Sequence, residues 1–368
     1  MKPVRLRGLD GLRFVAAFAV IGHHVEQLKD LAGLPSGWSN PSVRVVGGEA
    51  VRLFFTLSGF LITYLLLDEH ARAGRISMRG FLVRRALRIL PLYYLVTAIG
   101  FGLLPFIAPT AAGTVVYARH TLPLYLALLP NVALMAYPRV VGASHLWSIG
   151  WEEQFYFLWP WVVIAVRDKT KLLWLIALSC VALLLAPALV RNEFLRAYLR
   201  ACPYMFLLAG ATAGTLLHQR AAFVDRLILP ARAQWLVLPA TMAVLLAPAE
   251  TPLFNWVRAL FYAYVLLNVA RSSVERSFLE SRPARYLGRI SYGLYMYHPL
   301  LIQALIAAAA ALRLGGVALQ LWLYLGALAS TIAVSTLSSR FFETPLQRLA
   351  RRSVPAPALA QASARIGR

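Results

Sequence analysis

Arg13-Phe-Val-Ala-Ala-Phe-Ala-Val-Ile-Gly-His-His24 sets an arginine and an imidazole at the two ends of one apolar run. A helix turns about 100° per residue, so eleven steps return it to within roughly 20° of its starting face. Arg13 and His24 therefore look the same way, about 16 Å apart along the axis at ~1.5 Å per residue. Such groups in a bilayer are expensive and face a cavity or other protein. The stretch reads as the first membrane helix of an enzyme that works inside a bilayer.

The composition agrees. Across 368 residues, 60% are hydrophobic and only 14% charged, with a mean hydropathy of +0.64. Soluble domains carry about 25% charged residues, so the chain reads as an all-α polytopic membrane protein. The net charge of +22 comes from four Lys and thirty-three Arg against fifteen acids. These cations fall in short loops between apolar stretches, which is the positive-inside pattern and not a nucleic-acid surface. Cys180 and Cys202 have no metal-ligand spacing and read as small buried hydrophobes, and no metal site is expected. Lys2, Arg5 and Arg7 before an apolar run imitate a signal peptide, but Arg13 interrupts it and many spans follow, so the first helix is expected to stay uncleaved.

Apolar stretches lie at 12–28, 46–67, 85–106, 146–166, 171–190, 199–217, 233–248, 254–270, 290–312 and 317–340. An eleventh, 121–137, is broken by Pro123, Pro130 and Asn131. Counting it as a span would put the arginines of 218–232 (Arg220, Arg226, Arg232) and 271–289 (Arg271, Arg276, Arg282, Arg285, Arg289) outside, against the positive-inside rule. About ten helices around an internal cavity are therefore expected, with both termini cytoplasmic in a bacterial inner membrane. The 107–144 segment becomes an outer-face excursion, re-entrant only where protein or water covers its backbone. Residues 1–350 form the expected membrane domain and 351–368 a disordered cytoplasmic tail, with no soluble domain after it. No internal repeat appears, which weakens a transporter of inverted halves.

Four groups of residues carry candidate chemistry. His24 has the side chain whose ordinary pKa suits it to take a proton from a hydroxyl near neutrality; His23, about 100° round the helix, is expected to point elsewhere. Arg84, Arg85 and Arg88 open the third span as a fork on one helix face, suited to bidentate phosphate contacts. His145-Leu-Trp147-Ser148-Ile-Gly-Trp151-Glu152-Glu153-Gln154-Phe155-Tyr156 stands at the outer mouth of the fourth span. Its paired acids exceed what an aromatic belt requires, and either acid could orient an imidazole or hold a hydroxylated acceptor. Phe54-Phe55-Thr-Leu-Ser58-Gly59-Phe60 reads as a small-residue gap where helices approach closely. His298, inside Ser291-Tyr292-Gly-Leu-Tyr295-Met-Tyr297-His298-Pro299, is a second intramembrane histidine. Phe341-Phe342-Glu343-Thr-Pro345 is expected to close the last helix.

Together these motifs resemble the acyltransferase 3 family of bacterial integral-membrane O-acyltransferases. The likeness runs from Leu9-Asp10-Gly11-Leu12-Arg13 through His24, 54–60, Arg85 to Arg88, and 145–156 to Ser291–His298 and Phe342–Pro345, in the family's order. The chain departs from the family pattern in Ile149-Gly150-Trp151 and the doubled His23-His24. The resemblance implies a ten-helix core and transfer of an acyl group, usually acetyl from acetyl-CoA, to a hydroxyl of a glycan, glycolipid or small molecule. Arg13 and His24 match the family's arginine–histidine motif, Arg85 and Arg88 its Arg-x-x-Arg, and Glu152 the acid after His-x-Trp-Ser. Acyl-CoA is expected on Arg13, Arg84, Arg85 and Arg88, with catalysis by His24 and Glu152. Substrate contacts are expected from Asp10, Ser58, His145, Trp147, Glu153 and His298. The competing classes are a transporter or flippase for a lipid-linked glycan and, with Asp30 or Glu49 as its acid, a glycosyltransferase.

Overall fold

A computed structural model describes residues 6, 8–104, 119–140, 142–219, 222–230, 233, 239, 251–271 and 278–353, and among them helix is the only regular structure. The long helices are α1 (Leu9–Leu31), α2 (Pro41–Ala73), α3 (Met78–Ala98), α4 (Trp147–Ala165) and α5 (Lys169–Leu189). They are followed by the shorter α6 (Glu193–Ala201), then α7 (Tyr204–Gln219), α8 (Pro252–Arg271), α9 (Arg282–Arg289), α10 (Ser291–Ala311) and α11 (Gly316–Ser338). Local chemistry sets the ends. Pro41 presets the first turn of α2 and the Asn40 side chain accepts the Ser42 N–H at 2.9 Å. The same helix stops at Gly74, whose φ of 69° suits glycine.

Among the described residues six helices are long and apolar enough to cross a membrane: Pro41–Ala73, Met78–Leu103, Lys169–Leu189, Leu253–Arg271, Ser291–Ala311 and Gly316–Leu349. Three of the other expected stretches do form helices. α1 carries Arg13, Glu26 and Lys29, α4 carries Glu152 and Glu153, and α7 has only 16 residues. The expected span at 233–248 falls almost wholly outside the described residues, as do 105–118, 354–368, Lys2, Arg5, Arg7, Arg220, Arg232 and Arg276. The last helix, Thr344–Ser353, runs past the domain boundary expected at 350. Phe341 and Phe342 do not close it: a π turn, Ser339–Glu343, carries the chain onward.

The broken stretch at 121–137 forms two short helices, Leu122–Leu126 and Pro130–Ala136, each far below the ~20 residues a span requires. Two of its carbonyls are met by tyrosines of α3. The Tyr93 hydroxyl donates to the Tyr125 carbonyl at 2.8 Å, and that of Tyr94 to the Leu126 carbonyl at 3.0 Å. Irregular backbone at membrane depth survives only with such partners.

α2 is the most enclosed of the crossing helices, and α7 lies hard against it. A Cβ on Gly59 would sit 1.9 Å from the Leu207 carbonyl oxygen, and one on Gly210 2.0 Å from that of Thr56. Only hydrogen fits at either place, so the two backbones touch as the small-residue gap predicts. The contact also aims Ser58. With Gly59 turned to α7, Ser58 is rotated about 100° toward α4, where its hydroxyl donates to Glu152 at 3.1 Å. α5 contrasts with α2: Trp174, Leu178 and Leu189 are exposed, as lipid-facing side chains would be.

Candidate active site

Two cavities open among α1, α2, α4 and α10, and Val51 and Tyr295 belong to the walls of both. Toward the N-terminal end of α1 lies a narrow basic cavity of about 80 Å³, walled by Arg13, Arg85 and Arg88 with Ser58, Glu152 and Tyr156. Toward its C-terminal end lies a cavity of about 490 Å³ that His23, His24 and His145 share with Trp38, Trp147 and Trp151. The larger volume falls in the range of ligand pockets, about 300–1,000 Å³.

The basic cavity is internally satisfied. Glu152 accepts from Ser58 at 3.1 Å and from the Tyr156 hydroxyl at 2.7 Å, and the two hydroxyls lie 2.9 Å apart. The Arg85 guanidinium sits over the Tyr156 ring at 5.2 Å from its centre. Asp10 stands 3.6 Å from Arg13. Arg85 and Arg88 form no ion pair among the described residues, and nearby Glu152 leaves the cavity net positive. Anionic oxygens such as phosphates suit it.

The larger cavity is unsatisfied. Three imidazoles meet beside it: the rings of His24 and His298 lie 4.8 Å apart and those of His298 and His145 5.6 Å apart. Backbone carbonyls fix their tautomers. His24 Nδ1 lies 3.0 Å from the Val20 oxygen and His298 Nδ1 3.1 Å from that of Leu294. Each Nδ1 must carry the hydrogen, which leaves Nε2 as a lone pair. In His145 the roles reverse, with Nε2 donating to the Met296 carbonyl at 3.2 Å. His298 Nε2 and His145 Nδ1 are buried without any partner. Bare acceptors of this kind are costly inside protein and mark a place for a hydrogen-bond donor.

Tyr295 forms the partition. Its hydroxyl donates to the His145 carbonyl at 2.8 Å and lies 2.7 Å from Ser148 Oγ, so the ring is clamped between the cavities. Among the described residues no group of three or more His, Cys, Asp or Glu side chains is arranged to hold a metal ion.

Several expected positions are corrected. His23 does not point elsewhere: it lines the same cavity as His24, with Nδ1 3.0 Å from the Val43 oxygen and its ring against Trp38. Arg84 leaves the fork and donates to Glu69 at 3.2 Å, because the end of α2 brings that acid alongside. Arg13 takes its place as the third cation. Glu152 lies in the basic cavity instead of against His24, whose ring neighbours are His23 and His298. Glu153, one step round α4, faces a separate crevice with Leu82, Arg85 and Leu128, and its Oε1 is buried and unpartnered. Ser58 and Asp10 belong to the basic end, whereas His145, Trp147 and His298 gather round His24. Sequence reasoning gave no role to Tyr295 and Tyr156. In Tyr292–Tyr295–His298 each successive pair is three residues apart, so Tyr295 is a helix-surface neighbour of both others on α10.

Residues 6–340 match the acyltransferase 3 family, described as an acyltransferase domain. The chain is 25% identical to the O-acetyltransferase OatA of Staphylococcus aureus, over 94% of this chain and 58% of that protein. A putative O-acetyltransferase of the same species is 23% identical, over 93% of this chain and 57% of its own length. The chain thus spans less than two thirds of the curated relatives it matches. No solved structure matches it.

Proposed function

We propose, on the premise that this chain belongs to the acyltransferase 3 family, that it transfers an acetyl group from acetyl-CoA to a hydroxyl of a carbohydrate or small-molecule acceptor. The supporting observation is the shared wall: Val51 and Tyr295 separate a cavity of arginines from a cavity with the lone pair of His24. In this reading acyl-CoA enters from the cytoplasmic side of a bacterial inner membrane and the acceptor from the opposite side. Ten spans with both termini cytoplasmic complete the topology.

Arg13, Arg85 and Arg88 hold the phosphates of the donor. A cavity of about 80 Å³ takes a phosphate or a stretch of the extended arm but not the nucleotide, which stays at its mouth. The thioester reaches the Tyr295 partition. His24 Nε2 takes the proton of the acceptor hydroxyl, and the oxygen attacks the thioester carbon. The carbon–sulfur bond breaks, and the CoA thiolate leaves with the proton that His24 returns. A variant in which His24 Nε2 itself carries the acetyl group uses the same geometry. Glu152 acts on the donor side, where it orders Tyr156 and offsets part of the arginine charge.

The names of the relatives, O-acetyltransferases, agree with acetyl as the group moved. The test is purified protein in nanodiscs with radiolabelled acetyl-CoA and a panel of glycan acceptors. Label appears on an acceptor or on histidine with the natural chain and on neither after His24→Ala. Undiminished labelling by the variant overturns the assignment of His24. Glycan translocation without any labelling would favour a flippase.

A further inference from the structure

The rim of the histidine cavity is basic, and its charges are uncompensated. Arg44, in the first turn of α2, and Arg139, in the segment after Pro130–Ala136, both line it and both are exposed. Neither makes an ion pair among the described residues, and no Asp or Glu contributes to the wall. Two cations at the mouth of a pocket attract an anion when, as among the described residues here, no acidic side chain pairs with them. Deeper in, the partnerless His145 Nδ1, in a residue only 4% exposed, asks for a hydrogen-bond donor. The same wall carries three indole rings, Trp38 and Trp147 half-buried and Trp151 buried. Trp147 and Trp151 are four apart on α4 and so share a helix face. Flat apolar faces in one wall with a donor-seeking base and an anion-seeking rim suit a sugar that carries an acid.

We infer that the acceptor is an acidic saccharide, a uronate or another carboxylate-bearing sugar, bound with its carboxylate on Arg44 and Arg139. This inference rests on reading the histidine cavity as the acceptor site. The arrangement also fixes an order. The acid lies at the exposed mouth and the reacting hydroxyl lies deep, near His24 and His145, so the two groups sit at opposite ends of the bound unit. An outer-leaflet phospholipid phosphate is a second source of the same negative charge, and the experiment separates the two.

The experiment measures equilibrium binding to the full chain in nanodiscs without acetyl-CoA. The probes are a tetrasaccharide of alternating glucuronate and N-acetylglucosamine and its carboxyl-reduced counterpart. In phosphatidylcholine discs the acidic probe binds tighter by about fivefold, the order expected of two exposed charge pairs. The preference shrinks with added salt. The double variant Arg44→Gln, Arg139→Gln removes the preference and leaves binding of the reduced probe unchanged. Equal binding of the two probes, binding of neither, or a preference that survives in the double variant overturns the inference. A preference abolished by phosphatidylglycerol in the disc assigns the arginines to lipid and overturns it as well. Selective binding of the acidic probe by a chain that moves no label in the separate radiolabelled acetyl-CoA assay would defeat the transferase reading and leave the acidic-ligand assignment standing.

Discussion

The two cavities differ in how their polar atoms are used. In the basic cavity Glu152, Ser58 and Tyr156 close a hydrogen-bonded ring, and the open valence is the charge of Arg13, Arg85 and Arg88. At the histidine cavity the charge is at the rim, and the open valences are nitrogen lone pairs, His145 Nδ1 in its wall and His298 Nε2 buried beside it. One site is finished except for an anion. The interior of the other lacks a hydrogen-bond donor. Such a division suits a reaction that brings a phosphate-bearing donor to one side of a wall and a hydroxyl to the other.

Substitutions at the two ends should therefore fail differently. His24→Ala should lower kcat by about 10²–10⁴, the usual contribution of a general base. Its KM for acetyl-CoA should stay put, and a rise in that KM would merge the two cavities into one functional unit. Replacing both Arg85 and Arg88 with Ala should do the reverse. The KM for acetyl-CoA should rise about a hundredfold, at roughly tenfold per charged contact, with kcat less affected. Steady-state kinetics on both variants checks the contrast.

The frame between the cavities can be tested through stability. Gly59→Leu would drive a side chain into the Leu207 carbonyl, costing about 1–3 kcal/mol as overpacking does and often more against backbone. A lowered Tm in detergent would register it, and an unchanged Tm would deny the close contact of α2 and α7. The smallest effect belongs to Arg84→Ala. That residue pairs with Glu69 at the surface, so stability should fall by less than about 1 kcal/mol and the KM for acetyl-CoA should hold. A large KM change would return Arg84 to the donor site.

These contrasts trace what the sequence can carry. Helical period alone aligned Arg13 with His24, and both indeed face the cavities along α1. The Phe54–Phe60 run announced a close helix pair, since a glycine beside a serine in an apolar helix leaves room on one face. Prolines at 123 and 130 announced that 121–137 would not run as one helix. What stayed hidden depends on neighbours distant in sequence. Arg84 looked like part of a fork because Glu69 lies on another helix. Glu152 and Glu153 looked like a pair because adjacency in sequence conceals the ~100° that separates them on α4. The meeting of His24, His145 and His298 needs α1, the turn before α4 and α10 to converge, which no local pattern encodes. Among the described residues six helices qualify as spans against ten apolar stretches: α1 and α4 carry charged residues, α7 has only 16 residues, and 233–248 lies almost wholly outside the described residues.

The central claim is that donor and acceptor meet across the wall formed by Val51 and Tyr295. Val51→Phe thickens that wall while leaving the arginines, the histidines and the clamp on Tyr295 intact. Single-turnover acetyl transfer by this variant, measured with both ligands saturating, should be about a hundredfold slower, as small misplacements of reacting groups allow, with the affinity for each ligand unchanged. Transfer at the natural rate with both ligands bound would contradict the account.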